Sequence, residues 1–364
     1  MTNFFDPGLE KKPDFVECMK RIYAWYDHQV LDRVPVRFSA HNAEFDTADD
    51  DAARWPRLKD RWYDAAYQVE RYLGIVEKGC YLGETFPLFW PNLGPNVFAG
   101  ILGARLEFGE ITSWARPTIQ SPEDLEKIVF NPECEYLKKL DELTDCALQV
   151  CKGKFLVGYT DVHPSFDCAD ALMGTEELFF QIADDPDFVK AVTQKCFDPF
   201  FPLMDAIHQK LKAHNQLSAT WMQIPSYEGM HIPSCDLGAM ISPAMFDEFS
   251  LPFIEQEVRH FRHNIFHVDG KGVARHLDRL LEIPEIQAYQ WVQGVGEDRP
   301  ILQWVPLIQK IQTAGKSVVV DLHLNELEDF MGSVAPEGVL LCIDESNPET
   351  QQAVLKRLLK WRRP

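Results

Sequence analysis

Four short polar pairs carry the chemistry this chain could perform: Asp161-x-His163, His267-x-Asp269, Asp321-x-His323 and Cys342-x-Asp344. Each ends or directly follows a run of β-branched and aromatic residues. In an extended strand, residues two apart point the same way, so both members of a pair share one face. A carboxylate beside an imidazole is an acid/base pair, and the same residue types ligate divalent cations. A single strand-end Asp often caps the next helix, and a single His often sits half-buried with a structural role. Four pairs at equivalent places point instead to one shared functional surface, with Asp161, His163, Asp269 and His323 as its acid/base candidates.

Other residues qualify by position or by context. Ser39, His41, Trp221, Gln223, Gln290 and Trp291 also stand at the ends of strand-like runs. The stretch from Gly83 to Pro95 has proline and glycine spacing that forbids a long helix, and it holds Glu84 and Trp90. The stretch from Ile224 to Asp236 holds Tyr227, Glu228, His231, Cys235 and Asp236, a set able to contact substrate or metal, although Cys235 could equally be a buried inert thiol. Segments 84–92 and 226–236 are expected to roof the pocket, with Glu84, Trp90, Trp221, Tyr227, Glu228 and Trp291 against the substrate.

The elements that must position these residues follow from periodicity. Strand-like runs occur at Phe155–Asp161, Leu217–Gln223, Asn264–Asp269, Ile286–Val292, Ser317–His323 and Val339–Asp344, with helical patterns such as Pro243–His260 and Ile301–Ala314 between them. Val34–Ser39, the helix-like Arg61–Leu73 and one strand within Ile75–Val97 bring the strand count to eight. Alternating βα units of that number predict a closed (β/α)8 TIM barrel, whose active site lies at the carboxyl ends of the strands. The rival, an open doubly wound sheet, usually carries G-x-G-x-x-G after its first strand, and the chain offers only Gly294-Val-Gly296. Ser242-Pro243 reads as a helix N-cap with proline at the first helical position, and Gly315 as a residue just past a helix end. With no Gly-, Ser- or Pro-rich linker, residues 1–364 read as a single barrel domain with an N-terminal helical extension over residues 1–32.

Composition narrows the partners. The formal net charge is −20, so the averaged field repels phosphate backbones and anionic lipid. Neither nucleic acid nor a membrane is an expected partner, and no apolar run reaches the roughly 20 residues of a membrane span. Nine scattered cysteines without a C-x-x-C pair suggest reduced thiols in the cytoplasm.

The stretch His267-Val-Asp-Gly-Lys-Gly272, then Ala274-Arg-His-Leu-Asp278, Leu281-Glu-Ile-Pro284 and Gln290-Trp-Val-Gln-Gly-Val-Gly296, resembles the uroporphyrinogen decarboxylase superfamily. So does Ile241-Ser-Pro-Ala-Met-Phe-Asp-Glu-Phe-Ser-Leu-Pro252, which is similar to that superfamily's Leu-Ser-Pro-x-x-Phe-x-x-Phe-x-x-Pro helix. The likeness runs from about Phe155 to the C-terminus and implies a (β/α)8 barrel. True decarboxylases of the superfamily carry Arg-Gln-Ala-Gly-Arg-Tyr and Phe-Ser-Asp elements. Here Arg33 and Arg37 stand in another context, and Phe38-Ser-Ala40 lacks the carboxylate, which disfavours haem-pathway decarboxylation.

The superfamily's other branch holds zinc-dependent methyltransferases that act with corrinoid proteins, using His-x-Cys on one strand and a second Cys some seventy residues later. In this chain His267-x-Asp269 is followed by Cys342, 73 positions after Asp269. The resemblance thus implies zinc on His267, Asp269 and Cys342, with Cys235 or Glu228 completing the shell. Asp in place of a thiolate hardens the site and loosens its selection for zinc. The leading expectation is a methyltransferase that moves a methyl group between a small-molecule substrate and a corrinoid protein or thiol at this metal. The alternative is a metal-free lyase or decarboxylase acting on a small organic acid through its Asp and His residues.

Overall fold

The computed structural model describes residues 4–38 and 54–361, so the strand-end candidates Ser39 and His41 lie outside the described residues. The strands are β1 (Val36–Phe38), β2 (Leu88–Phe89), β3 (Arg105–Phe108), β4 (Ser113–Arg116), β5 (Leu156–Val157), β6 (Met230–His231), β7 (His263–Asp269), β8 (Ala288–Val292), β9 (Ser317–Leu322) and β10 (Val339–Ile343). Six of them form one parallel, curled sheet in the order β1-β10-β9-β8-β7-β6. Parallel neighbours require crossovers, and helices supply them: Pro243–Phe249 and Leu251–Arg259 before β7, Val305–Thr313 before β9, Leu327–Ser333 before β10. β10 is buried at every residue, on both of its faces, and therefore reads as a continuous apolar run.

β2 and β5 pair in parallel apart from this sheet. Backbone bonds run from their flanking residues to β1 on one side, Glu84 N–H to Val36 O (2.7 Å), and to the segment before β6 on the other, Tyr159 N–H to Ala219 O (2.8 Å). The hairpin of β3 and β4 was not expected from the sequence, because only four residues on each side pair.

Several expected elements differ in detail. The run Leu217–Gln223 does not pair as a parallel strand. Ser218 instead exchanges bonds with Ser226 (2.9 and 2.8 Å), and Gln223 adopts φ +56°, so the chain doubles back at Trp221-Met222. The continuous helix expected over Pro243–His260 is split at Ser250, because Pro252 has no amide with which to continue the ladder. Ser242 caps the first piece, accepting from Met245 N–H at 3.2 Å, and Gly315, at φ +71°, turns the chain after the helix that ends at Thr313.

The N-terminal helix Phe15–Tyr26 seals the amino ends of the strands. Trp25 is fully buried and donates its indole N–H to Gly338 O at 2.9 Å, just before β10, while Ser317 Oγ of β9 donates back to Trp25 O at 2.5 Å. Tyr26 stacks on His263, the first residue of β7, at 4.0 Å. Gly83 is required in this plug: at φ +59° its backbone passes so close to Val36 that a Cβ would lie 2.4 Å from the Val36 carbonyl oxygen. No helix among the described residues is long and apolar enough to cross a membrane.

Candidate active site

Register decides which side chains meet. His267 lies beside Gln290, Asp321 beside Cys342, and Cys342 beside Arg37. By the two-residue alternation of strands, Arg37, His267, Asp269, Gln290, Asp321 and Cys342 share one sheet face. Side-chain bonds agree: His267 Nδ1 is 2.7 Å from Gln290 Oε1, and the Cys342 thiol hydrogen-bonds with Arg37 and Asp321. Arg37 is buried and reaches across to donate to the Met222 carbonyl.

At the carboxyl end of β7, Asp236, His267 and Asp269 converge, their donor atoms all within 4.8 Å of one another. His267 Nε2 is 3.9 Å from Asp236 Oδ1, and the Trp221 ring stands edge-on to His267 at 5.5 Å. Asp236 belongs to the loop after β6. There Asp167 accepts the Asp236 and Leu237 amides at 3.0 and 3.2 Å and the Ser234 hydroxyl at 3.0 Å, fixing the loop from below. Ser234 also meets His163 Nδ1 at 2.7 Å, and His163 Nε2 meets Asp161 at 2.6 Å. One hydrogen-bonded chain therefore runs Asp161, His163, Ser234, Asp167 and ends on the backbone of Asp236.

Charges follow from this packing. Burial alone would push His163 down, but the carboxylates of Asp161, Asp236 and Asp167 outweigh it and raise its pKa to about 10, so it is an imidazolium at neutral pH. Asp236 sits in a recess that crowds its carboxylate without covering it. Its side chain keeps 57% of its accessible surface, yet desolvation and the neighbouring Asp167 raise it to about 6, against the pull of His267 and His163. Burial pushes the Cys342 thiol up to about 12, with Arg37 lowering and Asp321 raising it.

The structure separates the remaining candidates. Asp161, His163, Trp221, His267 and Asp269 stand at the mouth. His323 is exposed and starts a short 3-10 turn outside the converging group, and Asp344 is likewise exposed. Trp90 follows β2, half-buried. Three expected substrate contacts lie elsewhere. Glu84 is buried at the amino end of β1, gripped by Arg33 at 2.7 and 2.9 Å and by the Val36 amide at 2.7 Å. Tyr227 and Glu228 pack in the same plug: the Tyr227 hydroxyl donates to Phe5 O at 2.6 Å, and Glu228 accepts from Tyr23. Trp291 faces the helix layer, against Trp304 at 4.9 Å, because it is one residue out of phase with Gln290.

The ligand set implied by resemblance also differs from what converges. Cys342 is on β10, three strands from β7 along the sheet, and engages Arg37 and Asp321; Cys235 is buried, and desolvation raises its thiol well above the usual range. Neither thiol is in the converging group, whose donors are two carboxylates and an imidazole. A zinc–thiolate centre does not fit these residues, whereas a divalent cation on oxygen and nitrogen does. Sequence reasoning placed Asp236 in a substrate- or metal-capable loop without pairing it with His267, and it missed Asp167 and Ser234. The spacing Ser234-x-Asp236, and Asp167 four residues after His163, were the available signals.

No family model and no curated protein matches this chain. Among solved structures it is similar to a methyltransferase from Methanosarcina mazei, with a TM-score of 0.63 and 10% identity over 94% of this chain and 98% of that one. At that identity the likeness shows a shared fold.

Proposed function

We propose that this chain is a methyltransferase-like enzyme of the uroporphyrinogen decarboxylase superfamily, working at the carboxyl end of a closed eight-stranded barrel. The observation that carries the reading is the convergence of Asp236, His267 and Asp269 at the mouth. The fold shared with a methyltransferase supports the reaction class. The bonds from Val36 to Glu84 and from Tyr159 to Ala219 support closure of the sheet through β2, β5 and residues 217–219. Nine cysteines, none paired with another, support a reducing, cytoplasmic setting.

A divalent cation at this group would lower the pKa of a bound acceptor and hold it in nucleophilic form. The protein's own residues do the positioning. Gln290 accepts the Nδ1 proton of His267 and leaves Nε2 facing the mouth; Asp167 fixes Asp236; Trp221 walls one side. His163, held as an imidazolium between Asp161 and Ser234, orients the Ser234 hydroxyl toward Asp167. The methyl donor is proposed to be a corrinoid carried by a partner protein, and the acceptor a small molecule. Free methylcobalamin and an alkanethiol, mixed anaerobically with the metal-loaded protein, test this by the loss of methylcobalamin absorbance. Catalysed loss that disappears in His267→Ala is expected; a rate equal to the protein-free background contradicts the reading.

The Asp161–His163 pair at 2.6 Å favours a second reading, a metal-free decarboxylase or lyase in which Asp161 and His163 act as an acid/base pair on a small organic acid. Turnover of such an acid after chelator treatment would select it.

A further inference from the structure

His267 enters the mouth with its ring set from behind. Gln290 turns its amide oxygen to Nδ1 at 2.7 Å, an oxygen that can only accept, so Nδ1 is its donor and Nε2 is the ring atom turned to the mouth. Nε2 faces Asp236 Oδ1 at 3.9 Å, beyond hydrogen-bond range, and Asp269 closes the set within 4.8 Å. The two carboxylates repel one another unless a positive charge lies between them. Their spacing suits one shared ion, because donors bound at about 2.0–2.2 Å to a single cation stand roughly 3–4 Å apart. Both supports are in place before any ion arrives: Gln290 behind the imidazole, and Asp167 beneath the Asp236 loop with bonds of 3.0 and 3.2 Å to the Asp236 and Leu237 amides.

Sulfur is absent from this arrangement. Cys342 hydrogen-bonds with Arg37 and Asp321 in the interior, and Cys235 is a buried thiol outside the converging group.

We propose that the mouth binds one divalent first-row cation through Asp236, His267 and Asp269 with no cysteine ligand, Cys342 serving instead as a buried thiol that bridges Arg37 and Asp321. This rests on the reading of the mouth as a metal-assisted site. An oxygen- and nitrogen-only set keeps the ion hard, so the open position accepts oxygen donors as readily as a thiol, and manganese, cobalt and zinc should all bind.

Cobalt(II) titrated into the purified full chain tests the ligand set directly. Expected are visible ligand-field bands at one equivalent without a near-ultraviolet sulfur-to-cobalt charge-transfer band. Cys342→Ser and Cys235→Ala should leave the cobalt Kd within about 3-fold. Asp236→Asn and Asp269→Asn should each weaken it by at least the ~10–100-fold typical of losing a supporting hydrogen bond. Both aspartates are exposed, so their amide variants should fold, and matching melting curves confirm that they do. A charge-transfer band that vanishes in Cys342→Ser overturns the sulfur-free ligand set and leaves the metal-assisted reading standing. If wild-type protein binds no cobalt, both fail.

Discussion

Asp167 is not one of the three converging groups, yet its carboxylate accepts both the Asp236 and the Leu237 amides. Asp167→Asn keeps the shape and weakens those bonds, so the cation Kd should rise about 10–100-fold while the melting temperature changes little. Calorimetric titration of manganese checks this, and an unchanged Kd would show that Asp236 is held by other means. His163 gives a prediction with a definite sign. Its folded pKa of about 10 lies above the unfolded value of about 6.5, so its contribution to stability is complete below pH 6.5 and is lost as pH rises through 10. Urea unfolding from pH 7 to 10 should therefore show wild type losing stability relative to His163→Gln, and parallel profiles would contradict the imidazolium. Trp221 meets His267 edge-on, so Trp221→Ala should weaken substrate binding at the mouth; an unchanged KM in the methyl-transfer assay would remove it from the wall.

The elements divide the molecule into two ends with different work. At the amino end, Arg33 and Glu84 form a buried, bidentate pair that also binds the β1 backbone. Arg33→Ala leaves the buried Glu84 with Arg21 at 3.3 Å and the Val36 amide as its remaining partners, so the loss in chemical denaturation should stay at or below about 3 kcal/mol, while cation affinity stays that of wild type. A stable Arg33→Ala variant with weakened cation binding would place the plug in the active site after all. This division explains what the sequence could and could not reveal. β7 to β10 were legible because parallel strands buried on both faces read as apolar runs, and the pair rule put His267, Asp269, Asp321 and Cys342 on one face. Glu84, Tyr227 and Glu228 were misplaced because a polar residue in an irregular segment looks the same whether the segment lies at the carboxyl or the amino end of the sheet. Only the N-terminal helix, packed through Tyr23, Trp25 and Tyr26, shows that these residues face downward. Trp291 was misjudged by one step of phase. Asp236 escaped pairing with His267 because β6 is only two residues long and gives no periodic signal.

At the scale of the whole molecule, His208, His231, His263 and His276 are folded into the interior as neutral groups. Burial lowers His208 and His263 to about 4, His231 to about 3, and His276 below its ordinary value. Their folded values lie below the unfolded 6.5, so the stability they allow is complete above pH 6.5 and falls as pH drops toward 4, by up to about 1.4 kcal/mol per pH unit for each. Glu257, Asp170 and Asp236, all raised by burial, gain stability as pH falls over part of the same range and oppose the histidines, so the whole-protein profile is a small difference. Between pH 6.5 and 4.5 wild type should lose stability relative to His208→Gln in urea unfolding, and parallel profiles would contradict its neutral burial. The central claim is that a sheet closed at its amino end by a helical plug gathers one cation-binding group at the other end. Manganese binding to wild type and to His267→Ala, followed by equilibrium dialysis, tests it most directly. One equivalent bound by wild type and lost in His267→Ala is the predicted result; no saturable binding, or undiminished binding in the variant, would contradict it.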